Sequence, residues 1–291
     1  MNATHDPRPI GVFDSGLGGL TAVRELFRAL PDERVIYFGD TARVPYGSKS
    51  RETVTRFSLE IARFLTRQDI KVLLVACNTA SSYALDTLAR HLDVPVVGVI
   101  EPPVRAALAG PASGGDPGAR RVGVIGTQAT VSSGAYAQAI GGLAPGAKVT
   151  SCACPLFVPL IEEGWVEHPV MRSVAEEYLA DLRAEGVESL ILGCTHYPLV
   201  APLIARIMGP GVRLVDSGAE AAKATAALLR ERGALAAADP VAGREPRHHF
   251  YLSDERLSFA RVARALLGRE LPPTTIVDQT DLPWYERTLP H

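Results

Sequence analysis

Cysteine is scarce in this chain: four residues in 291. That is too few for a disulfide framework, and no C-x-x-C pair is present to suggest a dithiol redox motif. An excess of charge of one sign is lacking too. Thirty basic residues against 32 acidic ones leave a net charge of -2, which gives no electrostatic case for nucleic acid or for an anionic membrane. No apolar run reaches the length of a membrane span. Residues 1–9 are polar and carry no apolar signal-peptide region, so a cytosolic location is the expectation. What is present, 47% hydrophobic and 21% charged residues, describes a globular chain long enough for one large domain or two ordinary ones.

Apolar strand-length runs alternate with amphipathic helical segments. Strands are predicted at 9–13, 34–38, 72–76, 94–99, 121–125, 148–153, 189–192, 212–215, 249–252 and 274–277. Helices are predicted between them, among others at 19–29, 51–68, 79–90, 132–141, 171–185 and 220–232. This order implies βα units and an α/β fold with doubly wound parallel sheets. The plan repeats. Ile10-Gly11-Val12-Phe13-Asp14-Ser15 resembles Val122-Gly123-Val124-Ile125-Gly126-Thr127, an offset of 112 (Gly123 against Gly11). Two lobes related by pseudo-twofold symmetry are expected, with a Gly/Pro/Ala-rich loop between them at 109–120. The first would comprise 1–98 and, on the chain's return, 210–291; the second would be 99–209. Ligands of such sheets bind beyond the carboxyl ends of the strands, so a cleft between the lobes is the expected site.

Two of the four cysteines stand at matching places. Val72-Leu73-Leu74-Val75-Ala76-Cys77-Asn78-Thr79 and Leu190-Ile191-Leu192-Gly193-Cys194-Thr195-His196 both run from an apolar strand into a thiol and then small polar residues, at an offset of 117 (Cys194 against Cys77). A thiolate just before a helix N-terminus is favoured by the helix dipole and by unpaired N–H groups, and Asn78-Thr79 can cap such a helix. Lowering each thiol by two units would take about 2.7 kcal/mol. His196 is placed to accept a proton or to bond the thiol or a substrate. Two thiols on opposite walls of one cleft can act as base and acid on opposite faces of one carbon, which inverts a stereocentre without a cofactor.

The turn Asp14-Ser15-Gly16-Leu17-Gly18-Gly19 follows a strand and opens a helix. It matches neither the dinucleotide fingerprint nor a phosphate-binding loop with its lysine. Its backbone N–H groups, Ser15 and a carboxylate suit a small ligand carrying carboxylate and amino groups. Pro45-Tyr46-Gly47 would border the cleft, where Tyr46 and the Gly47 amide could hold a carboxylate. No metal is expected, because Cys152-Ala153-Cys154 has one intervening residue where metal pairs usually have two and no histidine cluster is close by. Those two thiols read as one buried and one incidental, and His248-His249 as surface residues.

Taken in order, these segments resemble the glutamate racemases of the aspartate/glutamate racemase superfamily. The likeness rests on Phe13-Asp14-Ser15-Gly16-Leu17-Gly18-Gly19, Pro45-Tyr46-Gly47, Ala76-Cys77-Asn78-Thr79-Ala80 and Gly193-Cys194-Thr195-His196-Tyr197-Pro198, with further similarity at 154–164 and in Val215-Asp216-Ser217. The resemblance implies two α/β lobes and cofactor-independent interconversion of L- and D-glutamate, with D-glutamate supplied to bacterial peptidoglycan. It implies that Cys77 takes the proton from D-glutamate with Asp14 assisting, and Cys194 from L-glutamate with His196 assisting. Glu162, with Glu163 beside it, is similar to a family carboxylate near the second thiol. Substrate contacts fall on Asp14, Ser15, Tyr46, Gly47, Asn78, Thr79, Thr195 and His196. The only partner expected besides a small-molecule substrate is a second copy of the chain, as a homodimer.

Three other readings compete. A racemase for aspartate or another acidic amino acid would use the same two thiols. A non-catalytic two-lobed binding protein would need the cleft but not the thiols. A cysteine hydrolase would need one nucleophile and a base, leaving the second cysteine strand unexplained.

Overall fold

The fold is seen in a computed structural model that describes residues 5–109, 120–237, 248–255, 259–281 and 283–286. The expected inter-lobe loop at 109–120 and the leader at 1–9 lie largely or partly outside the described residues. Strands and helices alternate from the start: β1 (Ile10–Asp14), α1 (Leu20–Ala29), β2 (Val35–Gly39), α2 (Arg51–Thr66), β3 (Val72–Val75), α3 (Asn78–His91), β4 (Val96–Gly98) and α4 (Glu101–Leu108). The pattern resumes with β5 (Arg121–Gly126), α5 (Gln128–Ser132), α6 (Ala135–Leu143), β6 (Lys148–Ala153), α7 (Phe157–Glu162), α8 (Pro169–Ala184), β7 (Ser189–Gly193), α9 (Ala201–Met208), β8 (Arg213–Asp216) and α10 (Ser217–Glu231). It closes with β9 (His249–Leu252), α11 (Phe259–Leu267) and β10 (Thr274–Ile276). No helix among the described residues is long and apolar enough to cross a membrane.

Among the described residues ten parallel strands form two sheets, ordered β10-β9-β2-β1-β3-β4 and β6-β5-β7-β8. The first four strands of each half thus follow one plan, 2-1-3-4, and this is the repeat seen in the sequence. β1, β2, β3 and β7 are buried at every residue. Helices cover both faces, and such central strands read as unbroken apolar runs of Val, Ile, Leu and Phe rather than alternating ones.

The last helix of each half crosses to the other sheet. In α4, Val104 and Ala107 join the core with Val122, Val124 and Ile191 of the second sheet. In α10, Ala221, Ala222, Ala226 and Leu229 join the core with Ile10, Val12, Leu20 and Leu26 of the first. Because the exchange is reciprocal, the two sheets are tied by buried apolar surface rather than by a linker alone.

Three sequence expectations need correction. A return to the first sheet at residue 210 comes too early, since β8 is hydrogen-bonded to β7 in the second sheet and the return is made by α10. The helix expected over 132–141 is broken at Gly134, whose φ of +69° is open to glycine at no steric cost and separates α5 from α6. His248 is buried, not superficial: its Nδ1 accepts the Val35 amide at 3.2 Å and its ring stacks on Phe27.

Candidate active site

β1, β3, β5 and β7 all end at one cavity of about 410 Å³. Its lining includes Ser15, Tyr46, Gly47, Cys77, Asn78 and Thr79 from the first half. The second half contributes Thr127, Cys154, Glu162, Glu163, Cys194, Thr195 and His196. The two halves meet closely here. A Cβ placed on Gly18 would stand 2.1 Å from Thr195 Oγ1 and 2.5 Å from His196 Nδ1, and one on Gly47 would stand 2.8 Å from Thr127 Cβ. At both points only a missing side chain lets the backbone of one half approach the other.

Cys77 caps α3. Its backbone is extended, and its sulfur accepts the Ala80 N–H at 3.5 Å and donates to Ser15 Oγ at 3.6 Å. The helix terminus expected from the sequence is therefore there, but the expected lowering of this thiol is not. Burial, joined by the negative charge of Asp14, pushes Cys77 up to about 12, and the contacts with Ala80 and Ser15 offset this only in part. Desolvation disfavours the charged form whatever the helix dipole offers, so in the unliganded protein Cys77 is a thiol at neutral pH.

Cys194 is set differently from its counterpart. Tyr197–Val200 form a short 3-10 turn around Pro198, and α9 begins only at Ala201, so no α-helix starts at the second thiol. Its partner is His196, with Sγ 4.0 Å from Nδ1. The other ring nitrogen, Nε2, lies 3.2 Å from Glu162 Oε1. Of the adjacent acidic pair it is Glu162 that reaches the histidine, from the last residue of α7.

Burial works against a charge on His196, but the bonds to Cys194 and Glu162 outweigh it and push the imidazole up to about 10. A folded-state value above the ordinary 6.5 adds stability that is complete below 6.5 and is lost as pH rises through about 10. Wild type should therefore lose more stability in urea denaturation between pH 7 and 10 than His196→Asn does. Parallel pH profiles for the two proteins would refute this.

Asp14 is buried, and Oδ2 accepts the Gly16 amide at 2.9 Å while Oδ1 has no hydrogen-bond partner among the described residues. Burial raises its carboxyl, while the His196 charge and the amides of Gly16, Gly19 and Ser15 hold it down. An unpartnered buried acceptor is costly, and here it stands close to the Cys77 thiol.

Two expected substrate contacts are otherwise engaged. The Tyr46 hydroxyl donates to Asp40. Asn78 spends both ends of its amide on protein partners, donating from Nδ2 to Ser217 Oγ at 3.2 Å and accepting the Tyr136 hydroxyl at 2.6 Å on Oδ1. What Asn78 and Thr79 offer the cavity is the first N–H groups of α3, which have no acceptor within the helix.

Sequence reasoning missed Thr127, Thr130 and Tyr136. The hydroxyls of Thr79 and Thr127 are 3.0 Å apart across the two halves, and Thr130 lies 3.2 Å from Thr79. A signal for Thr127 was available, because the internal repeat places it opposite Ser15. Nothing in the local sequence marks Tyr136. Cys154 is buried at the cavity wall and donates to the Cys152 carbonyl at 3.7 Å, and Cys152 is half-buried.

A family profile described as Asp/Glu/Hydantoin racemase matches residues 10–225. The chain belongs to that racemase family. As a member it is an amino-acid racemase, an isomerase. A glutamate racemase of Geobacter metallireducens is 52% identical over 264 residues, covering 91% of this chain and 94% of its own length. One from Syntrophus aciditrophicus is 47% identical over the same shares of the two chains. The crystal structure of glutamate racemase from Francisella tularensis, in complex with D-glutamate, superposes with a TM-score of 0.85 at 41% identity. That match covers 94% of this racemase chain and 98% of the other.

Proposed function

We propose that this racemase interconverts L- and D-glutamate without a cofactor, using Cys77 and Cys194 as paired bases. The observation that carries the reading is the pair of buried thiols, each following the equivalent strand of a repeated half and both lining one cavity. Its relatives at 47–52% identity over nine-tenths of the chain are named glutamate racemases, which supports glutamate as the substrate.

In this reading one cysteine thiolate removes the α-proton, breaking Cα–H and forming S–H. The opposite thiol then gives its own proton to the other face of the carbon and becomes the thiolate. Nothing is gained or lost overall. Cys77 serves D-glutamate and Cys194 serves L-glutamate, with Asp14 beside the first thiol and the His196–Glu162 pair beside the second.

The α-hydrogen of an amino acid is far less acidic than a thiol, so the developing negative charge needs oriented donors in a closed site. The Asn78 and Thr79 amides at the start of α3, with the hydroxyls of Thr79, Thr127 and Thr195, are the groups available for it. The unpartnered Oδ1 of Asp14 is an acceptor for the substrate ammonium group. A cation there also opposes the charge that raises Cys77, so substrate binding itself helps to create the base. The D-glutamate formed goes to bacterial peptidoglycan, and the enzyme works in the cytosol as a homodimer.

Incubation with each enantiomer of glutamate in D₂O tests the reading. Loss of optical rotation with deuterium entering the α-position is expected from either side, and much slower turnover of aspartate. No inversion and no exchange of either glutamate enantiomer would sink the proposal, while faster turnover of aspartate would reassign the substrate.

A further inference from the structure

The mechanism needs two thiols held on opposite sides of one carbon, and one residue outside the cavity lining touches the neighbours of both. Tyr136, on α6, is buried. Its hydroxyl donates to Asn78 Oδ1 at 2.6 Å, and Asn78 directly follows Cys77. Its ring lies against Gly193, which directly precedes Cys194: a Cβ at residue 193 would stand 3.1 Å from Tyr136 Cε2. The phenol thus spans the gap between the two strand ends, its hydroxyl on one and its edge on the other. The same hydroxyl is 3.0 Å from the Val99 carbonyl, which anchors it to the crossing into α4.

A second strut runs parallel to the first. Asn78 Nδ2 donates to Ser217 Oγ at 3.2 Å, and Ser217 Oγ donates to the Leu192 carbonyl at 2.9 Å, two residues before Cys194. Ser217 opens α10, the helix that crosses back to the first sheet. Both struts end on the Asn78 side chain, which explains why that amide faces protein rather than the cavity. Burial pushes the Tyr136 phenol up, so it remains a donor through the neutral range.

We infer that Tyr136 is a positioning residue that sets the separation of the Cys77 and Cys194 thiols, with Ser217 as a second support. The inference rests on the two-thiol reading above. Its consequence is specific. Slackening either strut should leave substrate binding in place and slow proton transfer, because transfer falls steeply with small errors of donor–acceptor placement.

Tyr136→Phe keeps the ring over Gly193 and removes only the hydroxyl. We expect kcat to fall about tenfold for both enantiomers with KM held within about twofold. The kinetic isotope effect on Cα-deuterated glutamate should rise, since proton transfer becomes more fully rate-limiting. Ser217→Ala should show the same split to a smaller extent, and it carries the test if Tyr136→Phe does not fold.

Unchanged kcat and isotope effect in a variant with a lowered melting temperature would overturn the inference, because the residue would then be structural only. A raised KM at constant kcat would overturn it as well. These failures are separable from failure of the function itself: a wild type that does not racemise glutamate refutes the reading, whereas a racemising wild type matched by Tyr136→Phe refutes only the strut.

Discussion

Replacing either Cys77 or Cys194 with serine should cut inversion of both glutamate enantiomers by roughly 10²–10⁴-fold, the range set by loss of a positioned acid or base. Serine nearly preserves the volume of the thiol, and both cysteines are buried in contact with defined neighbours, so the fold should survive with little change in melting temperature. What changes is chemistry, because a hydroxyl is a far weaker acid than a thiol. In the proposed two-base mechanism each cysteine acts once in every turnover, as base in one direction and as acid in the other. Both single variants must therefore fail in both directions, and the double variant should be little worse than either single one, as expected for groups that act as a unit. Residual α-proton exchange, where it survives, should be confined to the enantiomer served by the remaining thiol. Wild-type inversion in either single variant, measured by optical rotation, would rule out the two-base mechanism.

Gly18→Ala should lower kcat/KM for glutamate by about 10²-fold, the penalty for misplacing catalytic groups by about 1 Å. The added methyl would stand 2.1 Å from Thr195 Oγ1, 2.5 Å from His196 Nδ1 and 2.6 Å from His196 Cε1. Neither the imidazole nor the Thr195 backbone can move cheaply. His196 is held by Glu162 through its far nitrogen, and the Thr195 carbonyl accepts the Thr21 hydroxyl at 2.9 Å. The strain can be relieved only by separating the two halves at the cavity or by rotating the histidine away from Cys194, and either displaces the second thiol from the first. Gly142→Ala is the control: it sits on α6 with open space around its Cβ position, and alanine there should be neutral or slightly stabilising in a helix. Equal activity of the Gly18→Ala variant and wild type would show that the approach of Gly18 to His196 has no catalytic role.

Much of the architecture was legible in the sequence because it rests on local patterns. The strand runs are fully apolar where both faces are covered, and the helices carry their own stop and start signals. The repeat of Ile10–Ser15 as Val122–Thr127 announced two similar sheets. The matched positions of Cys77 and Cys194 were visible for the same reason, since equivalent strands of a repeated unit end at equivalent places. Where local reading failed, a longer-range effect had intervened. The expected return of the chain comes one strand early because nothing in Arg213–Asp216 reveals which sheet a short strand will join. His248 looked superficial because a pair of histidines gives no hint that Phe27 and the Val35 amide will enclose one of them.

The family resemblance alone implied the carboxylates beside the thiols. The sequence by itself determined the α/β class, the two-fold repetition, the positions of both thiols at strand ends and the imidazole two residues after Cys194. These follow from periodicity and order along the chain, which are short-range properties. Tertiary structure alone decided how the two thiols differ. Burial and the nearby Asp14 hold Cys77 protonated despite its helix terminus, while Cys194 has no helix start but a histidine whose value is raised by its bonds to Cys194 and Glu162. It also decided that Asn78 would face Tyr136 and Ser217 rather than the cavity. Desolvation and contacts between residues 58 and 139 positions apart are sums over neighbours that no local segment encodes.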